Sequence, residues 1–161
     1  MKYAARLFAN MLDYAQRLTA DLSDADLAKR PAEGMNPPAW ILGHLVLVAD
    51  SAVMLLGGEG VCPPEWRTWF GKDSVPLAAG GPQLSKNELM TRLAERHSEV
   101  DRLLAKGVAP ARLDEPNPRE HLRAALPTVG HFLTHMLTTH PGTHLGQLSA
   151  WRRAVGLPSV K

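Results

Sequence analysis

Seven histidines lie along this chain of 161 residues, and four of them form two HxxxH pairs, His131–His135 and His140–His144, in one apolar segment near the C-terminus. Residues four apart on an α-helix lie one above the other, so either pair could offer two imidazole nitrogens to one metal ion. Direction separates the pairs. At about 100° per residue, with His131 as zero, His140 falls near 180° and His144 near 220°, whereas His135 falls near 40°. Leu133, Met136, Leu137 and Trp151 share the half of the wheel that holds His140 and His144, while Ser149 and Arg153 lie with the other pair. The wheel therefore sends His140 and His144 into the core and leaves His131 and His135 as solvated surface histidines. Two imidazoles in an apolar stripe need partners, because an unsatisfied buried polar group costs about 1–3 kcal/mol. A metal ion would satisfy both.

His44 raises the same question in WILGHLVLVADSAVMLL, where Trp40, Leu47, Val48 and Ser51 lie within about 60° of its direction. Alone it reads as a core histidine bonded to a carbonyl. Beside an inward-facing HxxxH it becomes a candidate third ligand, and three histidines with an open position describe a catalytic rather than a closed structural site. His97, at the edge of another apolar stripe, is a lesser candidate for a fourth ligand or a substrate contact, and His121, in a link, is assigned no role. Cys62 has no CxxC partner and is followed by Pro63 and Pro64 rather than a helix N-terminus, which reads as a spectator thiol. Gln147, near 160° on the wheel, could donate to a metal-bound water, hold a histidine in one tautomer, or serve a contact between helices. Asp50 lies about 120° from His44, so no general base is assigned and the catalytic residues stay open.

The elements that must position these side chains are helices. The chain carries 24 Leu and 21 Ala against 10 Val and 1 Ile, a mixture rich in helix formers and poor in β-branched residues. The first helix is expected over about Lys2 to Ala20, with Leu7, Met11, Ala15 and Leu18 on one face. Asn36 followed by Pro37 and Pro38 supplies an N-cap and first-turn prolines for a second helix running to about Leu56, stopped by Gly57 and Gly58. That helix is apolar almost all round and should be central. Residues 57–84 form a long irregular link with Trp66 and Trp69, expected to cover something. Ser85 and Glu88 make a capping box for a third helix ending near Gly107. After a proline-rich link, a fourth helix starts near Pro127 or Thr128 and continues to Val155, before Gly156 and Pro158. Pro141 should kink that helix or start a new segment, so the HxxxH spacing holds only if helical geometry resumes across it. The expectation is one all-α domain over residues 1–161, a four-helix bundle whose long links cross over.

Lys and Arg number 18 against 16 Asp and Glu, and no long run of like charge marks a nucleic-acid arm. Arg152 and Arg153 suit a helix C-terminus and argue little for a polyanion partner. One cysteine excludes an internal disulfide, the N-terminus lacks a signal-peptide pattern, and Pro37 to Ala49 is too short for a membrane span, so the protein is expected in the cytoplasm with neither nucleic acid nor membrane as partner.

NPPAWILGHLVLVAD and HPGTHLGQLSAWRRAVGLP resemble the second-helix and last-helix signatures of the DinB/YfiT-like family, and FGKDSVP resembles its intervening loop. The resemblance spans nearly the whole chain. It implies a four-helix bundle, usually a homodimer, in which His44, His140 and His144 bind one divalent metal, often nickel or zinc. Relatives include enzymes that attach or move low-molecular-weight thiols such as bacillithiol or mycothiol. The expectation is thus a metal-dependent enzyme of thiol-transferase or hydrolase type. Its metal would bind water or a substrate thiol in the open position, lowering that group's pKa, and substrate would enter where residues 57–84 close the mouth. The alternative is a non-catalytic metal-binding or structural dimeric bundle.

Overall fold

The computed structural model describes residues 1–72, 74 and 84–160, and all regular structure within them is helical. In chain order the helices are α1 (Lys2–Thr19), α2 (Pro38–Leu55), α3 (Trp66–Phe70), α4 (Lys86–Ala105), α5 (Pro110–Asp114), α6 (Val129–Leu137) and α7 (Thr139–Ala154), with single 3-10 turns at Asp24–Asp26 and Glu120–Leu122. The all-α expectation is met. The capping box of α4 forms as expected, with Ser85 Oγ accepting from the Glu88 amide and the Glu88 carboxylate accepting from the Ser85 amide. Thr128 Oγ1 accepts from the His131 amide at the start of α6.

Three local expectations need correction. Asn36 is not the N-cap of α2: the helix starts one residue later, Pro37 occupies the cap, and the Ala39 amide is satisfied by the Leu27 carbonyl instead of a side chain. The last helix does divide, as Pro141 leads one to expect, but at Thr138 (φ −131°, ψ −77°), ahead of the proline, where α6 ends and α7 begins. The link after α2 is not irregular throughout, since α3 forms within it; of the FGKDSVP segment, Asp73, Val75 and Pro76 lie outside the described residues.

α2 packs against α3, α4, α6 and α7, which is why its sequence is apolar on nearly every side. Its length and its mean hydropathy of 1.6 would suit a membrane span, yet 78% of it is buried inside the protein. The core divides into two layers along it. One joins Leu18 of α1, Trp40 to Leu47 of α2, Phe70 of α3, Leu93 of α4 and Leu148 and Trp151 of α7. The other joins Phe8, Ala52, Val53, Val100, Leu133 and Leu137. The break at Thr138 lies between them, so α6 packs in one layer and α7 in the other. Arg152 is buried and turned inward: it donates to both Asp21 carboxylate oxygens and to the carbonyls of Leu18 and Pro158, tying the C-terminal turn to α1.

His97 is 4% exposed, stacks on Phe8 with centroids 3.6 Å apart, and leaves Nδ1 without a hydrogen-bond partner among the described residues. It is a core residue, and burial pushes its pKa down from 6.5 to about 3. The folded state therefore resists a proton that the unfolded chain accepts below pH ~6.5, so stability is complete above that value and falls as pH drops towards 3. His97→Phe keeps a stacked ring and removes the titration. Unfolding midpoints measured from pH 7 to 4 should show the wild type losing stability relative to this variant by up to about 1.4 kcal/mol per pH unit. Parallel curves would mean that His97 is protonated in the fold.

Candidate metal centre

Gly43 precedes His44 for a steric reason. A Cβ at position 43 would lie 2.6 Å from Phe70 Cε1, so only glycine lets the α3 ring settle on α2. That approach brings the Phe70 carbonyl to 2.6 Å from His44 Nδ1, and since a carbonyl can only accept, His44 Nδ1–H donates and its Nε2 carries the lone pair. Trp40, one turn earlier, stacks on the His44 ring at 4.7 Å. Its Nε1–H donates to Ser74 Oγ, whose hydroxyl lies within bonding distance of the Trp69 and Gly71 carbonyls. One glycine, one stacked tryptophan and the last carbonyl of α3 thus hold His44 in place and in tautomer.

The break at Thr138 resolves the difficulty posed by Pro141. The missing N–H of Pro141 falls within the first turn of α7, where the helix has no use for a donor, and regular geometry runs from Thr139 onward. His140 and His144 are therefore successive-turn neighbours, with ring centroids 4.7 Å apart. Gln147 Oε1 lies 3.0 Å from His144 Nδ1, which makes Nδ1 the donor and again frees Nε2. The contact is the geometry that a tautomer-holding role for Gln147 requires.

The three histidines meet. His44, His140 and His144 each offer a ring nitrogen, and these atoms lie within 4.8 Å of one another. His44 Nε2 and His140 Nε2 are 3.0 Å apart, a hydrogen bond in which His140 donates to the His44 lone pair. Burial is the main cause that lowers all three pKa values, to about 3 for His140 and about 4 for His144, and the proximity of the rings adds to it for those two. The cluster is neutral at pH 7, with nitrogen lone pairs converging and no carboxylate in the set. Such a donor set fits a borderline cation that prefers imidazole, once the His140 proton moves to Nδ1.

His135 departs from the sequence expectation. It is half-buried, its ring meets His140 edge-on at 5.4 Å, and burial lowers its pKa. A wheel drawn through positions 131–155 assumed one unbroken helix; the turn at Thr138 resets the phase. His131 remains exposed and contacts Thr128. His121, given no role from sequence, lines a cavity of 670 Å³ beside His135 and His140, with Ser51, Phe132 and Arg119. Nothing in an aperiodic link could have signalled that. The cavity wall also draws on Arg112 and Pro118 before α6 and on Lys72 after α3. Asp50 points elsewhere, accepting from the Val61 and Cys62 amides and pairing with Arg96 at 3.4 Å. Burial and the Asp50 charge push the Cys62 thiol up to about 12, as suits a spectator.

Two substitutions test the support of the rings. Gly43→Ala should displace α3, lower stability by roughly 1–3 kcal/mol and weaken metal uptake about tenfold or more through the lost Phe70 bond; unchanged zinc affinity by competitive chelator titration would refute the steric argument. Gln147→Leu should weaken zinc affinity by roughly 10–100-fold with little change in thermal midpoint, because position 147 is exposed.

No curated protein and no solved structure matches this chain. The DinB superfamily model matches residues 7–148, a span that includes His44, both members of the second HxxxH pair and Gln147, and the chain belongs to that superfamily.

Proposed function

We propose that this chain binds one divalent metal ion, nickel or zinc, through His44, His140 and His144 and uses it on a small molecule in a reaction of thiol-transfer or hydrolysis type. The observation that carries the reading is the convergence of three neutral imidazoles within 4.8 Å, two of them held by acceptors at Nδ1. When bound, such an ion supplies Lewis-acid polarisation of a substrate group. The chain contributes the rest. Phe70 and Gln147 hold the rings, Trp40 shields one face of His44, and the cavity beside His140 and His135 accommodates a ligand. His135 and His121 line that cavity and face its occupant. A cytoplasmic location rests on the usage of a single cysteine, while a low-molecular-weight thiol as co-substrate and a homodimeric state complete the proposal from the family resemblance. So does a four-helix bundle of α1, α2, α4 and the broken α6–α7 pair, joined by crossing links.

Elemental analysis of the untagged protein, purified without chelator, should find about one equivalent of nickel or zinc. His44→Ala and His144→Ala should lose it while keeping their helical circular dichroism. A metal-free wild type that cannot be reloaded, with variants merely less stable, would make these core histidines and end the proposal.

A further inference from the structure

The walls of the cavity are sorted by charge. The 670 Å³ cavity next to His140 and an adjoining one of 360 Å³ next to His44 share Ser51, Lys72, Arg119, His121 and Phe132. Their described lining residues include Arg67, Lys72, Arg112 and Arg119 and no Asp or Glu. Over the whole chain, basic and acidic residues are nearly balanced at 18 to 16, so four cations and no carboxylate among the described lining residues is a local feature. Arg112 is neutralised by Glu115. Arg67, Lys72 and Arg119 form no ion pair with a described carboxylate, unlike Arg17, Lys29 and Arg102, which pair with neighbours on their own turns. Beside Ser51 and the histidines, the uncharged wall is apolar, chiefly Met54, Leu55, Phe132 and Met136.

We propose that this cavity binds an amphipathic anion, its negatively charged head against Arg67, Lys72 and Arg119 and its apolar part along Met54, Leu55 and Phe132. Guanidinium groups offer forked donors to a carboxylate or phosphate, and although Arg67, Lys72 and Arg119 are each exposed, cations gathered around one concavity add their fields in the space between them. The volume suits a small ligand. Identifying the occupant as a substrate rests on the three-histidine reading; its binding does not.

The test is titration calorimetry of the full chain, metal-depleted and zinc-loaded, with 4-phenylbutyrate, phenyl phosphate and the uncharged 4-phenylbutanamide. At least one anion should bind the metal-depleted protein about tenfold or more tighter than the amide, and weaken as salt is raised. The Arg67→Gln, Arg119→Gln double variant should lose about tenfold or more in anion affinity while keeping its zinc stoichiometry, and the corresponding double Lys variant, which keeps both charges, should retain most of the binding. Equal binding of the amide, or no binding of any probe in either form, overturns the proposal. So does anion binding that needs zinc and ignores the Gln substitutions, since the anion then sits on the metal. Arginine-dependent anion binding in a protein that takes up no metal supports the anion site and ends the metal reading instead.

Discussion

The bond from His44 Nδ1 to the Phe70 carbonyl is the contact on which the site depends. It requires α3 to lie against α2, which requires a residue without a Cβ at position 43. It also ties the link after α2 to the core helix, because Phe70 and Trp66 are buried there and Ser74 is held by Trp40. A buried histidine without such an acceptor would be free to choose its tautomer and turn its ring. With it, one nitrogen is committed and the other faces the partner histidines.

The second constraint is the discontinuity at Thr138. A straight helix through Pro141 would lose a hydrogen bond and push the proline ring into the Leu137 carbonyl. Breaking the helix just before Thr139 removes that conflict and allows α6 and α7 to serve different core layers. The same break sets His140 of α7 edge-on against His135 of α6, rings that one continuous helix would hold well apart around its axis. One local conflict in the chain thus decides how many histidines gather at one place.

Polar contacts anchor the framework away from the site. Asp50, buried in α2, receives two amides of the following link and the Arg96 guanidinium of α4, so a carboxylate that could have served chemistry is committed to structure. Arg152 does the same between α7 and α1 through Asp21. Both are buried charges satisfied by several partners, which is the condition under which burial is tolerated.

Much of this was readable from the amino-acid order, for reasons that are local. Helix periodicity, the Ser85 capping box, glycine stops and the inward direction of His44, His140 and His144 depend on residues within a few turns of one another, and so does the conflict at Pro141. The partners of those histidines were not readable in the same way. The Phe70 carbonyl is a backbone atom that any residue could have supplied, and its position depends on how a short helix packs across 26 positions of chain. His121, Arg119 and Lys72 meet in one cavity wall although they come from links that carry no period to read. Sequence alone determined an all-helical chain with three inward-facing histidines. The tertiary structure decided that their nitrogens converge, which tautomers two of them hold and what charge surrounds them, because those depend on distances between segments that only packing sets.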